Sequence, residues 1–408
     1  MNPAVKIAWR YFRGKKSAQA INIISWISIG AIAVSSAAMV VLFSVFNGLE
    51  GTVRDMYSAF NPEIKVTVAK GKFFNVSEAQ KNAISKIAGI EVAAYSLEDM
   101  VLLNGNDEQK VGTLKGVDEN WFKVCELDSF MIEGTTGWKG NGAYTPAITG
   151  LDISMSLGID IKNAFSGLKI YYPRKGANIS EDPVAALNSI VVKPEGTFRI
   201  QEEFDGQYVL VPLKAAQYLL DVGDKVSSVE IKCHTNASEA RVKNELVNIL
   251  GKGVVIENRF EQNKTFFMIM RGEKWAVYAI LLMVLLIASF NMIGSLSMVV
   301  LEKKKDIAIL KSMGATSSLV RTIFIAEGGL LALVGGLIGI LTGTLLCLGQ
   351  QHFGWISFPD GFIINAYPVA MQVDDFILVM STALAVGLLA SLYPALKAAR
   401  QAVYVREE

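Results

Sequence analysis

The 408-residue chain has little that could do covalent chemistry. Its only histidines are His234 and His352, and its three cysteines, Cys125, Cys233 and Cys347, lie far apart. No Cys/His cluster with metal-ligand spacing can be drawn from them, and no metal site follows. There is no GxxxxGK(S/T) phosphate loop, and no HExxH, GxSxG or CxxC motif. The cluster Gly335-Gly336-Leu337-Ile338-Gly339 lacks the strand before it and the lysine after it that a phosphate loop requires. Small residues at this spacing, with Gly339 and Gly343 in GxxxG register, instead let membrane helices come close. The sequence therefore offers no catalytic residues, and the chain is expected to bind neither ATP nor another cofactor by itself.

One polar segment has a pattern worth a mechanism. In Glu302-Lys303-Lys304-Lys305-Asp306-Ile307-Ala308-Ile309-Leu310-Lys311-Ser312-Met313-Gly314-Ala315-Thr316, a basic run leads into Ile307, Leu310 and Met313 at helical spacing, and Gly314 stops the helix. A basic anchor that only touches lipid headgroups needs neither an amphipathic helix nor a sharp terminator. The pattern reads as a docking helix. Glu327 is the other charge of interest, because a carboxylate inside a span costs about 2.5–3.5 kcal/mol on insertion scales. It either faces a partner or water, or snorkels from a turn or two inside the span.

The elements that carry these residues are membrane spans. The chain is 51% apolar and 19% charged, against the roughly 25% charge of soluble domains. Asp, Glu, Lys and Arg are missing from Ser17–Leu49, Trp275–Leu301, Gly328–Pro359 and Phe376–Leu396. Each run reaches the roughly 20 residues that cross about 30 Å of hydrocarbon. The first is longer than a signal-peptide core and reads as an uncleaved anchor. Net charge of +1 without a basic stripe excludes nucleic acid as a partner.

Orientation follows from the basic flanks. Lys6, Arg10, Arg13, Lys15 and Lys16 precede span one; Lys303, Lys304, Lys305, Lys311 and Arg321 lie between spans two and three; Lys397, Arg400 and Arg406 follow span four. Gln350–Val373 has no Lys or Arg. The positive-inside rule places both termini and the 302–318 segment in the cytoplasm. The expected layout is an interface helix at 1–22, spans at 23–48, 273–301, 319–349 and 374–396, an extracytoplasmic domain at 49–272, a loop at 350–373 and a tail at 397–408. The fold class is thus membrane α-helical, with four transmembrane helices and a large α+β extracytoplasmic domain inserted between helices 1 and 2.

Within that domain, helix continues past span one until Asn61-Pro62. Strand patterns occupy 63–68, 101–103, 112–117, 168–172, 189–192, 208–211 and 229–233, and helices occupy 77–88, 151–157, 213–220 and 238–249. Two lobes are expected, meeting near 120–145, where Gly134, Gly137, Gly140 and Gly142 cluster. Cys125 and Cys233 are read as free thiols, with a disulfide as the alternative.

The segment 302–316 resembles the coupling-helix signature of the MacB/FtsX superfamily of ABC permeases. Ala8-Trp9-Arg10-Tyr11-Phe12, Ile27–Gly30, Ser44–Gly48, Ala147–Gly150, Leu157–Ile159 and Leu392–Arg400 are similar to the lipoprotein-releasing (LolC/LolE-type) branch. The tail after Arg400 departs from that branch. The resemblance implies an inner-membrane permease that extracts lipoproteins for a periplasmic carrier and the outer membrane. Its partners would be two copies of a separate ATPase, which binds the ATP and Mg, and a second permease, the same chain or a paralogue. It implies ATPase coupling through Glu302, Lys303, Lys304, Lys305, Asp306, Ile307, Leu310, Met313 and Gly314. A lipoprotein cavity would be lined by Val40, Val41, Phe43, Phe46, Tyr278 and Leu282. Tyr172, Pro173 and Arg174 would start a carrier-binding hook in the segment 172–192. The alternatives are an FtsX-like signalling scaffold, which tends to have a shorter external domain, and a MacB-like efflux permease, which usually carries its own ATPase.

The lysine and arginine asymmetry predicts that Asn75→Cys labels with a membrane-impermeant maleimide in intact spheroplasts while Ser317→Cys does not. Labelling of Ser317→Cys before lysis would reverse the orientation.

Overall fold

Four long helices cover the charge-free runs: the first span Gln19–Ser58, the second Lys264–Glu302, the third Ser317–Phe353 and the fourth Val373–Ala399. The computed structural model describes residues 7, 19–106, 108–138, 144–162, 167–174, 186–357 and 366–401. The expected interface helix, apart from residues 7 and 19–22, and residues 175–185 of the 172–192 segment lie outside the described residues, as does the tail beyond 401. The first helix stops at Ser58, just ahead of Asn61-Pro62. The Asn61 N–H still donates to the Tyr57 carbonyl at 2.7 Å.

The chain forms two compact units: a membrane unit of 1–52, 268–360 and 364–408, and an inserted unit built on 53–267. In the membrane unit the glycines of the third span have a packing role. A Cβ on Gly339 would lie 2.5 Å from the Ala33 carbonyl oxygen and 2.6 Å from Ser36 Cβ. Gly335 and Gly343, one turn to either side, meet Ile32 and Val40 of the same first span. On the other side, Gly387 of the fourth span leaves room for Ala332, whose Cβ would otherwise be met at 2.3 Å. Backbones this close gain dispersion contacts that lipid cannot supply. Around them Ile32, Met39, Phe43, Leu285, Met292, Leu331, Val379 and Ala383 make one apolar core.

Among the described residues the inserted unit holds ten strands: β1 Ile64–Val68, β2 Ile90–Gly105, β3 Glu108–Val117, β4 Met131–Glu133, β5 Thr145–Gly150, β6 Leu168–Pro173, β7 Leu187–Phe198, β8 Tyr208–Pro212, β9 Ser228–Cys233 and β10 Val254–Asn258. They form one sheet in the order β10-β1-β9-β2-β3-β8-β5-β7-β4, and β6 bridges β2 and β7. Because β6 pairs with both, β2, β3, β8, β5, β7 and β6 close into a ring, filled by Leu97, Leu103, Leu114, Leu168, Ile170, Val192 and Val209. Beyond the ring, β1, β9 and β10 extend the sheet under the helices Glu78–Ile84 and Glu239–Leu250, with Ile64, Val66, Ile84, Val229 and Leu246 between. The expected division into lobes near 120–145 is therefore not found. The 16-residue β2 serves both cores, and β8 and β9 return across the boundary.

The early part of β2 escapes sequence reading because its polar residues are not on a solvated face. Ser96 is buried and its hydroxyl donates to Glu230 Oε1 at 2.6 Å. Lys115 of β3, 2% exposed, lies 2.7 Å from Glu98 and 2.9 Å from Glu230. Trp121 Nε1 donates to the second Glu230 oxygen at 2.7 Å. The Lys115 ammonium also sits 5.1 Å from the Trp121 ring and 5.5 Å from Phe60. Burial opposes charge on Glu98, but Lys115 and Lys65 outweigh it and hold the carboxyl down at about 2. The same contest leaves Glu230 below its ordinary value. Cys125 and Cys233 are free thiols, and burial drives the Cys125 thiol up.

Removing one partner of a buried pair costs about 3–5 kcal/mol, so Lys115→Met should lower the unfolding midpoint of the full chain in detergent, followed by tryptophan fluorescence. The deficit should shrink on acidification, because a buried carboxylate without its cation rises in pKa and takes a proton. In the parent protein the contribution of Glu98 is complete above its unfolded value and is lost only as pH falls towards about 2. An unchanged midpoint would show that the network adds nothing to stability.

Candidate functional site

The segment singled out by its pattern forms the connecting helix Lys304–Ser312. It follows the second span with only Lys303 between, whose N–H donates to the Val299 carbonyl at 2.9 Å. It ends at Gly314, whose φ of +92° is left-handed and strained for any other residue type. The Ala315 N–H closes the turn on the Leu310 carbonyl at 3.0 Å. Thr316 then caps the third span, its side chain accepting from the Leu319 N–H at 3.3 Å.

The expected stripe of Ile307, Leu310 and Met313 is not one free face. Ile307 is 2% exposed and packs with Val299, Val300, Val320, Phe324, Ala395 and Ala398 of the spans. Leu310 is half-buried, and Met313 is 80% exposed. The open face is Lys305, Ile309, Ser312 and Met313, at i, i+4, i+7 and i+8. Tertiary packing rotates the usable side of the helix away from the side that hydrophobicity alone selects. Lys303 and Asp306 pair at 3.3 Å, Lys304 is exposed and Glu302 is half-buried.

At the other end of the spans, the expected cavity residues separate into two groups. Val40 and Phe43 are buried within the membrane unit, at 1% and 0% exposure. Val41, Phe46, Tyr278 and Leu282 are half-exposed. Tyr278 tilts against Phe43 at 6.0 Å between ring centres and shares a hydrogen bond of 2.9 Å with Thr382.

Beside Phe43 lies a polar contact that sequence reading missed. Lys274 Nζ is 3.1 Å from Asp375 Oδ1 and donates to Asn47 Oδ1 at 2.8 Å. Asn47 Nδ2 donates to Asp375 Oδ2 at 2.5 Å and to the Ala370 carbonyl at 3.2 Å. Spans one, two and four are thus clasped by one amide and one ion pair. The ammonium also stands 5.4 Å from the Phe43 ring. Lys274 and Asp375 each sit one residue outside a charge-free run, where a sequence shows only ordinary flanks. Gly48 lets the chain pass against Pro368, whose oxygen would be 2.3 Å from a Cβ there.

The remaining candidates divide in the same way. Tyr172 packs on the ring core and its hydroxyl donates to Asp99 Oδ2 at 2.8 Å. Pro173 and Arg174 are exposed, and Arg174 Nε donates to Asn188 Oδ1 at 3.1 Å. Beside them is a hollow of about 650 Å³ lined by Arg174, Asn188, Lys214, Tyr218 and Asp224. Glu327 is 1% exposed inside the bundle and does not snorkel. Among the described residues no group of three His, Cys, Asp or Glu side chains could hold a metal ion.

Comparison with known proteins bears on this arrangement. Residues 278–403 match the FtsX-like permease C-terminal family. The chain is 25% identical to the lipoprotein-releasing system transmembrane protein LolE of Haemophilus influenzae, covering 98% of both chains. It is 25% identical to LolC of Xylella fastidiosa, covering 98% of this chain and 97% of that one. The crystal structure of the periplasmic region of MacB from Actinobacillus actinomycetemcomitans aligns with 51% of this chain and 93% of its own, at 12% identity and a TM-score of 0.37.

The clasp predicts coupled stability. Lys274→Met and Asp375→Asn should each lower the melting midpoint of the full chain in detergent. The double variant should fall short of their sum by more than about 0.5 kcal/mol, the range for residues in direct contact. Strict additivity would mean that the two charges do not support one another.

Proposed function

We propose that this chain, an FtsX-like permease related over nearly its whole length to the LolC and LolE transmembrane proteins, is the permease subunit of an ATP-driven complex that extracts lipoproteins from the inner membrane. The observation that carries the reading is similarity covering 98% of the chain and of LolE, which includes the inserted unit as well as the spans. In this reading two copies of a separate ATPase bind ATP and Mg on the cytoplasmic side, and a second permease, the same chain or a paralogue, completes the complex. The released lipoprotein passes to a periplasmic carrier, for which Pro173 and Arg174 are candidate contacts.

The energetics define what the subunit has to do. Each buried CH₂ is worth about 0.8 kcal/mol, so moving three long acyl chains into water costs on the order of tens of kcal/mol. Thermal fluctuation does not supply this. The chains need an apolar surface to enter from the bilayer, and work from ATP to leave it. Val41 and Phe46, half-exposed on the first span, and Tyr278 and Leu282 on the second provide such a surface. The work enters at the open face of the connecting helix, where Ile309 and Met313, 58% and 80% exposed, are apolar anchors ringed by Lys304 and Lys305.

Depletion of the chain should leave outer-membrane lipoproteins in the inner membrane, measured by density fractionation. Phe46→Asp should do the same while the complex still assembles, because a charge there adds a desolvation cost of about a few kcal/mol to acyl entry. Ile309→Asp with Met313→Asp should release the ATPase during purification. Normal lipoprotein sorting after depletion would sink the reading.

A further inference from the structure

The connecting helix has nine residues, too few to be stable alone in water, so its orientation is set by what it touches. Covalently it is hinged at both ends, through Lys303 to the second span and through the turn at 313–316 to the third. Its contact with the fourth span is different, since no chain joins them. Among the described residues, two side chains one turn apart take part in it. Ile307 is buried with Ala395 and Ala398. Lys311 donates from Nζ to the Ala399 carbonyl at 2.8 Å and to the Gln401 carbonyl at 2.6 Å. The Ala399 carbonyl ends the fourth span and Gln401 lies just beyond its cap; the last turn leaves acceptors without helical partners and the helix dipole favours a cation.

The far end of the same span is held just as definitely. Asp375, in its first turn, takes part in the clasp with Lys274 and Asn47. Between these two attachments the fourth span runs as one continuous helix, Val373–Ala399, with Pro394 buried inside it, where one main-chain hydrogen bond is missing. A tilt of the connecting helix therefore acts on one end of a continuous helix whose other end secures spans one and two beside Phe43. The open face, Lys305, Ile309 and Met313, and the inward contact, Ile307 and Lys311, are on different sides of one short helix. A push on the first is delivered to the second.

We infer that Lys311 is a positioning residue for transport: its bonds to the Ala399 and Gln401 carbonyls carry movement of the connecting helix into the fourth span and so to the Lys274–Asp375–Asn47 clasp. The inference rests on the reading of the chain as an ATP-driven permease, and it assigns Lys311 to transmission and not to ATPase docking. In sequence Lys311 is one more positive charge of the cytoplasmic loop. Only the fold shows that its ammonium turns away from the open face.

The test uses the full complex of permease and ATPase in membranes. Lys311→Met keeps the aliphatic stem and removes the donors, whereas Lys311→Arg restores them. Lys311→Met should keep its ATPase through purification yet lose lipoprotein release by about fivefold or more, the lower range of coupling between linked sites. Lys311→Arg should recover most of it, which a purely space-filling role would not require. A second readout needs no substrate. Ile377→Cys, at a position 62% exposed near the start of the fourth span, should change its maleimide labelling rate on ATP addition with Lys311 or Lys311→Arg, and not with Lys311→Met. That pattern would uphold the relay even if the cargo were not a lipoprotein. Release by Lys311→Met at the parental rate would overturn the relay and leave the proposed function standing. Loss of the ATPase from Lys311→Met would also overturn it, by showing that the residue serves assembly.

Discussion

Where the third span crosses the first, three glycines one turn apart take the place of side chains, and the two backbones come within direct contact. In hydrocarbon there is no water to expel from between helices, so association depends on packing and on interhelical polar contacts. The line of Gly335, Gly339 and Gly343 against Ile32, Ser36 and Val40 supplies the first. It also decides what the first span has left to offer. One side is committed to the third span and to the shared core around Phe43, and the opposite side, with Val34 and Val41, is left outside that core. A residue with a side chain at Gly339 would push the helices apart and change both faces.

Polar contacts then mark the two ends of this bundle. Lysine, aspartate and asparagine meet at one end, and a lysine reaches two main-chain carbonyls at the other. Contacts of this kind are directional and can be exchanged for water at the membrane edge, whereas an apolar core resists rearrangement. Apolar packing thus occupies the middle of the spans, and the exchangeable bonds lie at their ends.

The inserted unit solves a different problem. Its long second strand carries Ser96 and Glu98 inward, where an apolar residue would be expected, and Lys115, Glu230 and Trp121 close around them. Every charge in that cluster has a partner, as burial demands. With Lys65 of β1 3.6 Å from Glu98, the network joins four neighbouring strands and the short helix that Trp121 opens.

The sequence by itself determined the parts that depend on composition over long stretches. Four charge-free runs give four helices, because only a helix satisfies its own backbone in lipid. Asn61-Pro62 ends the first, Gly314 ends the connecting helix, and the order of motifs from Ala8 to Arg400 carries a resemblance to the lipoprotein-releasing permeases. What only the tertiary structure decided depends on single side chains meeting across large sequence separations. Ile307 and Met313 look alike in a helical pattern, yet one is buried on the fourth span and the other is open to solvent. Lys274 and Asp375 look like two unrelated flanks until the fold brings them within 3.1 Å. The two lobes expected on either side of residues 120–145 became one sheet, because β8 and β9 return to pair with strands laid down earlier. Periodicity records which residues share a face of their own element, and carries no information about which neighbour will cover that face.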